Sequence, residues 1–331
     1  MNCAMDKENS NADPARGAAA GGSLMVLQCR AAVGRRQRPP RCRALAAIVP
    51  ASLAVVMLAG CTSGTPHPAA EALSAGCSTA VAAGSVQFEV AVSGDDRYVF
   101  VTDESTGGLS VFDLATALRH GFSARGVAVG IIPLATDPVG VAVSPDGARL
   151  YVATLGSPGP HGQLWVLDTA RAEAGSGRAA VLAHVAAGCQ ADRVAVSPDG
   201  RTVWVTARLS DALLGFSAAY LLADPSRALQ AVVRVGSEPV GLLLVDDGDL
   251  ALVANSNRGI EPGTATDVPQ VVSVINTVAA LGHRSALLGA VQAGLFPRDL
   301  TLDQATGQVL LGNYNSGTVE EFPVPAAPAG A

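Results

Sequence analysis

The chain has 331 residues, 49% hydrophobic and 15% charged, with 36 Gly and 20 Pro, enough for one large domain or two small ones and too apolar for disorder throughout. Its formal charge of -6 divides unevenly: residues 1–60 hold eight Lys+Arg against three Asp+Glu, leaving 14 against 25 in the rest. The one lysine, Lys7, lies outside that acidic body, so the clustered cations that hold a phosphate backbone are missing and no nucleic-acid partner is expected.

Residues 1–34 show no periodicity, and Met25 would serve as a start as well as Met1. From Arg35 the order is basic residues, an apolar run from Ala44 to Leu58, then Leu58-Ala59-Gly60-Cys61, which is the layout of a secretory signal. The run is interrupted by Pro50 and falls short of the ~20 residues that a membrane-spanning helix needs. Leu-Ala-Gly-Cys resembles the lipobox of bacterial lipoproteins. That resemblance implies cleavage before Cys61 and acylation of its thiol, with an ordinary secretory cleavage site as the alternative. Residues 1–60 are therefore expected to be a removable extension and signal, and 61–78 a lipidated cysteine with a flexible tether rich in Ser, Thr, Gly, Pro and Ala. Only Cys77 and Cys189 would then remain as thiols.

Downstream, one sentence is written five times. Residues 141–154, VAVSPDGARLYVAT, align with 194–207, VAVSPDGRTVWVTA, and 90–103, VAVSGDDRYVFVTD; weaker copies are 242–255 and 300–313. Ser93, Ser144, Ser197, Val245 and Asp303 are equivalent and lie 51, 53, 48 and 58 residues apart. Each copy predicts an apolar strand, a tight turn centred on Pro-Asp-Gly and a second strand. A third strand follows (Leu109–Leu114, Leu164–Asp168, Leu213–Ser217, Val271–Asn276, Thr318–Phe322), then a fourth apolar stretch such as Val181–Ala187 or Val232–Val235. Four antiparallel strands per repeat predict an all-β chain, a β-propeller of four-stranded blades over residues 79–322, followed by a Pro/Ala-rich tail at 323–331. Five repeats are detected; six or seven blades are the alternative.

Tyr151-Val152-Ala153-Thr154, Val101-Thr102-Asp103, Val253-Ala254-Asn255 and the Asp168-Thr169 or Asn276-Thr277 after the third strand resemble the YVTN group of β-propeller repeats, within the lactonase-like and surface-layer-like propellers. Well-known members have seven blades, and five copies fit here. Residues 79–93 match 183–197 in phase, so 79–83 are expected to supply the outer strand that the last repeat lacks. On this template Cys77 and Cys189 lie at opposite faces, about one strand length or ~17 Å apart, so the pair is expected to stay reduced.

The loops entering each first strand and those linking second to third strands share one face, called here the loop face. Its candidate channel-mouth residues are Glu89, Asp192, Arg193, Arg298 and Asp299, with Gly140 and Gly241 at the matching places of the other two repeats. The mouth is expected to be open on the glycine side and charged on the other, with Asp192–Arg193 and Arg298–Asp299 pairing or framing a small polar ligand. The long insertion after the fourth repeat's second strand brings Asn255, Asn257, Glu261 and Asp267, hard oxygen donors without the one-in-two spacing of a calcium loop, so a binding loop rather than a metal site is expected. The five histidines are scattered, and no His-Glu-x-x-His, Gly-x-Ser-x-Gly or phosphate-cradling loop is present.

These readings favour a lipid-anchored, extracytoplasmic, monomeric module of the cell envelope without a cofactor, touching the membrane through its lipid alone. It would bind an envelope protein, a glycan or a small polar ligand. The alternative is an envelope hydrolase of lactonase type working at the channel mouth.

Overall fold

The computed structural model describes residues 89–103, 107–120, 126–134, 137–156, 161–257 and 270–326. Cys61, Cys77, residues 79–83, Glu261 and Asp267 lie outside them. The fold is all-β and antiparallel, and each sequence repeat forms one sheet.

Sheet A contains β1 (Val90–Val92), β2 (Tyr98–Asp103), β3 (Gly108–Asp113) and β4 (Ala128–Pro133). Sheet B contains β5 (Pro138–Val143), β6 (Arg149–Thr154), β7 (His161–Asp168) and β8 (Val181–Cys189). Sheet C contains β9 (Ala191–Val196), β10 (Thr202–Ala207), β11 (Ala212–Ser217) and β12 (Leu229–Arg234). Sheet D contains β13 (Pro239–Val245), β14 (Leu250–Asn255), β15 (Val271–Asn276) and β16 (Leu287–Gln292). Sheet E has three strands among the described residues, β17 (Pro297–Asp303), β18 (Gln308–Asn313) and β19 (Thr318–Pro323).

The repeated sentence has a physical meaning at each word. In the first turn, Ser93, Ser144 and Ser197 donate their hydroxyls to Asp95, Asp146 and Asp199 at 2.6, 2.5 and 2.6 Å. The same hydroxyls accept the backbone N–H of Tyr98, Arg149 and Thr202, each at 2.9 Å, which sets the hairpin register. Gly147 and Gly200 follow at φ near +70°, where a side chain is strained. After the third strand, the Asp-Thr and Asn-Thr pairs are helix caps: Asp168 accepts Arg171 N–H at 3.0 Å and Asn276 accepts Ala279 N–H at 2.7 Å. Of four short helices that were not expected from the sequence, α1 (Leu114–His120), α2 (Thr169–Glu173), α3 (Ala218–Ala223) and α4 (Thr277–Leu281), they open α2 and α4, while Asp113 and Ser217 accept the corresponding N–H groups at the start of α1 and α3. No described helix is long and apolar enough to cross a membrane.

Four apolar clusters hold the sheets together, each spanning two successive ones. Phe100 and Leu109 meet Val141 and Trp165 between A and B; Leu164 meets Val203 and Val205 between B and C. Leu213 meets Ala251 and Val253 between C and D, and Val272 meets Leu300 and Leu311 between D and E. None of these clusters joins E to A. Leu109, Leu164, Leu213 and Val272 are 0% exposed, whereas Val319, their equivalent in β19, is 73% exposed. Val90, which matches the buried Val141, Val194 and Leu300, is 58% exposed.

Gly140 and Gly241, expected on the open side of a mouth, lie against the backbone of the next sheet. A Cβ on Gly140 would sit 2.3 Å from the Asp192 carbonyl oxygen, and one on Gly241 would sit 2.5 Å from that of Arg298. Both positions let the next sheet's backbone approach. Replacing Gly140 by Ala should force sheets B and C apart at a cost of ~1–3 kcal/mol, lowering Tm by several degrees. Gly130→Ala, whose nearest contact would be 4.0 Å away, should leave Tm nearly unchanged in the same melt.

Candidate functional site

The loop face is built by a device repeated in sheets B to E. Before each first strand stands a non-glycine residue with left-handed backbone: Asp137, Gln190, Glu238 and Phe296, at φ of 33°, 54°, 50° and 55°. Such conformations are costly and concentrate where the surrounding structure over-determines them. Here each carbonyl accepts the N–H of the residue just past the second strand, Leu155, Arg208, Ser256 and Tyr314, at 2.8–3.0 Å. A register shift follows in every case, leaving one extra residue in the first strand: Val139, Val240, Arg298, and in sheet C a residue of the Asp192-Arg193 pair.

The bulges of sheets B to E re-aim one equivalent position each, Gly140, Arg193, Gly241 and Asp299, and Glu89 holds that place in sheet A, where the described pairing of β1 with β2 has no register shift. Where that position is Glu89 or Arg193, its N–H is accepted by a threonine of the second strand, Thr102 or Thr206, at 2.9 Å. The threonine hydroxyl in turn donates to the next sheet's bulge carbonyl, Val139 at 2.9 Å or Val240 at 3.4 Å. Where the position is glycine, the second strand carries Ala153 or Ala254 and the next sheet's bulge carbonyl lies directly against the glycine. Two solutions to one packing problem thus alternate along the chain.

Arg193 reaches from the third repeat to both the first and the fifth. Its Nη1 lies 3.0 Å from Glu89 Oε1 and its Nη2 3.6 Å from Asp299 Oδ1. The other Glu89 oxygen accepts Val141 N–H at 2.8 Å, tying sheet B into the same group. Burial pushes the Glu89 carboxyl up to about 7, Asp192 adding to the rise, while Arg193 and the Val141 N–H pull the other way. The surrounding carboxylates, Glu89 foremost, raise the Arg193 guanidinium further against its own desolvation.

The pairing therefore differs from the expected neighbour pairs. Asp192 turns inward to Arg208 at 3.9 Å, both about 2% exposed, and Arg208 also donates to Gln190. Arg298 stands over the rings of Phe296 and Tyr314, 5.8 and 5.9 Å from their centroids, and those rings meet edge to face at 5.3 Å. Tyr314 is 69% and Leu295 45% exposed, making sheet E the aromatic part of the face. Arg208, Gln190 and Phe296 were missed in the sequence. The signal for Arg208 was its place one residue beyond a second strand, the same place that Tyr314 holds in the fifth repeat.

Of the loop candidates, Asn255 is structural on one side: it is 1% exposed and donates to Val271 O at 2.9 Å and Ser273 Oγ at 3.0 Å. Asn257 is 6% exposed and its N–H reaches Ser237 O at 3.3 Å. No group of three His, Cys, Asp or Glu suited to a metal occurs among the described residues. Cys189 corrects a further expectation, that it stays reduced: it is disulfide-bonded.

Because the Glu89 carboxyl is raised in the folded state, the native protein holds a proton that the unfolded chain gives up near the usual 4.5. Its contribution to stability is complete below that value and is lost as pH rises through about 7. Between pH 5 and 8 the wild-type Tm should fall relative to Glu89→Gln by the equivalent of roughly 1–2 kcal/mol, a figure reduced for partial solvent screening. Parallel Tm profiles would contradict the buried-carboxyl account.

No protein-family model and no curated protein matches the chain. Among solved structures, it is similar to a functionally unknown protein from Desulfotomaculum acetoxidans DSM 771, with a TM-score of 0.50 and 16% identity over 70% of this chain and 68% of that one. At that identity the likeness speaks to fold alone.

Proposed function

We propose that the five sheets are blades of one β-propeller, lipid-anchored through Cys61 outside the cytoplasm, whose loop face recognises a ligand or partner of the cell envelope. Three features support the ring: one repeat per sheet, successive packing from A to E, and an arginine of sheet C that meets carboxylates of both A and E. In a five-membered ring the third member stands opposite the junction of the fifth and first. The resemblance to YVTN repeats and the lipobox support the rest of the reading.

The observation that carries the binding role is the sheet E cluster. An exposed Tyr314 and Leu295 flank Arg298, beside an Asp299 carboxylate whose side chain is 73% exposed. Tyrosine and arginine around an apolar patch are the residues that dominate recognition energetics. Monomeric protein should show a saturable melting-temperature rise with at least one member of a panel of envelope glycans, sugar acids and short peptides. Tyr314→Ala and Arg298→Ala should each weaken that binding at least tenfold. Unchanged affinity in both variants would remove the cluster from the site.

A lactonase-type hydrolase is the second reading, favoured by one observation: Glu89, poised at about 7 beside Arg193, suits proton transfer at neutral pH. Hydrolysis of a sugar lactone that rises with pH through about 7 and falls at least a hundredfold in Glu89→Gln would establish it. Equal rates in both proteins would exclude Glu89 as the base.

A further inference from the structure

We infer that the cluster on sheet E takes an uncharged saccharide, stacked on the Tyr314 ring and held at its hydroxyls by Asp299. The inference rests on the loop-face recognition proposed above and names the class of ligand that this part of the face selects.

The platform is built before any ligand arrives. Tyr314 lies just past β18, and its loop is clamped to the one before β17. Tyr314 N–H donates to Phe296 O at 2.8 Å, Asn315 N–H to Leu295 O at 3.1 Å, and Leu295 N–H to Ser316 Oγ at 2.6 Å. Phe296 meets the Tyr314 ring edge to face at 5.3 Å while keeping a left-handed φ of 55°. Sheets B to D carry Asp137, Gln190 and Glu238 at that place; a bulky ring is the costlier choice there, and such strain gathers at ligand sites. From sheet D, Gln270 Oε1 accepts the Phe296 N–H at 3.1 Å and fixes it further. Even so, Tyr314 is 69% and Leu295 45% exposed. A held aromatic ring that faces water binds with little loss of conformational entropy.

Charge selects the ligand. A cation at the ring meets the Arg298 guanidinium, which already stands 5.8 and 5.9 Å from the two ring centroids. An anion meets the Asp299 carboxylate and a body whose residues beyond 60 carry 14 Lys+Arg against 25 Asp+Glu. An uncharged ligand meets neither repulsion. An apolar peptide side chain is best anchored in a desolvated pocket, whereas an open ring beside a carboxylate stands here. A pyranose matches that surface, with C–H groups on its face and hydroxyls around its edge.

Asp299 is placed to accept those hydroxyls. It pairs with Gly312, two residues before Tyr314, so the two backbones lie roughly 8 Å apart. Its Oδ1 accepts Leu300 N–H at 3.1 Å and lies 3.6 Å from Arg193, whose nearer partner is Glu89 at 3.0 Å. The carboxylate keeps acceptor capacity on Oδ2, and its side chain is 73% exposed.

Full-length protein should be titrated by calorimetry with maltotriose, cellotriose and tri-N-acetylchitotriose. Saturable binding of at least one is expected, little changed between about 0.05 and 0.5 M NaCl because no charge pair is screened. Trigalacturonate, trilysine and a blocked trialanine peptide, as acidic, basic and peptide probes, should not compete. Tyr314→Ala should weaken the saccharide about tenfold or more, and Tyr314→Phe, which keeps the ring, less than about threefold. Asp299→Asn should weaken it about threefold or more. Both positions are exposed, so an unchanged Tm separates a lost contact from a lost fold. Binding of a charged or peptide probe in place of every neutral saccharide would overturn the inference and leave the recognition reading standing. No binding by any probe would overturn both, and unchanged affinity in Tyr314→Ala and Asp299→Asn would overturn the placement.

Discussion

A single guanidinium sets the constraint on which this architecture turns. Equivalent positions of the first, third and fifth repeats meet at one place, where identical side chains would either collide or repel. The chain fills it with one arginine and two carboxylates. Arg193 from the middle repeat meets Glu89 from the first and Asp299 from the last, while Gly140 and Gly241 leave room for the neighbouring backbone. Removing one member would leave a partly buried charge without its counter-charge, so the group acts on the whole set of sheets rather than on one.

The same economy governs the interfaces. Each next sheet presents a bulge carbonyl to its predecessor, and the predecessor either hydrogen-bonds it through threonine or gives way to it through glycine. Around this polar inner edge the apolar clusters do the bulk of the packing, and the outward valines of sheets A and E stand apart from them. Function, on this account, belongs to the loop face, where the bulges and left-handed residues fix side-chain directions that an ordinary strand would not permit. Sheet E departs most from the repeat, with the aromatic pair Phe296 and Tyr314 where the others carry Asp137 and Leu155, Gln190 and Arg208, or Glu238 and Ser256, and it is there that recognition is expected.

Much of the fold was legible because the repeat is nearly literal. Val-Ala-Val-Ser-Pro-Asp-Gly specifies a strand, a hydroxyl–carboxylate turn and a left-handed glycine, and β15 begins and ends at the residues the periodicity indicated, Val271 and Asn276. The site was legible by position but not by partner. Glu89, Arg193 and Asp299 were picked out together, yet adjacency in sequence pointed to Asp192–Arg193 and Arg298–Asp299 pairs. Consecutive residues at a bulge point apart, and so Asp192 goes inward to Arg208 and Arg298 to the rings. The pairing of Glu89 with Thr102 and Arg193 with Thr206, against Gly with Ala elsewhere, was present in the sequence as a correlated pattern. Only the cross-sheet hydrogen bonds gave it meaning. Cys189, expected to stay reduced, is disulfide-bonded.

Double-mutant cycles on the arginine test the central claim most directly. Arg193→Met combined in turn with Glu89→Gln and with Asp299→Asn, followed by equilibrium unfolding at pH 8, measures coupling between the third repeat and each end of the chain. Coupling of about 1 kcal/mol or more to Glu89, and a smaller but measurable coupling to the more exposed Asp299, is the predicted result. Additive effects in both cycles would mean that Arg193 does not join the first and fifth repeats, and the claim would be contradicted.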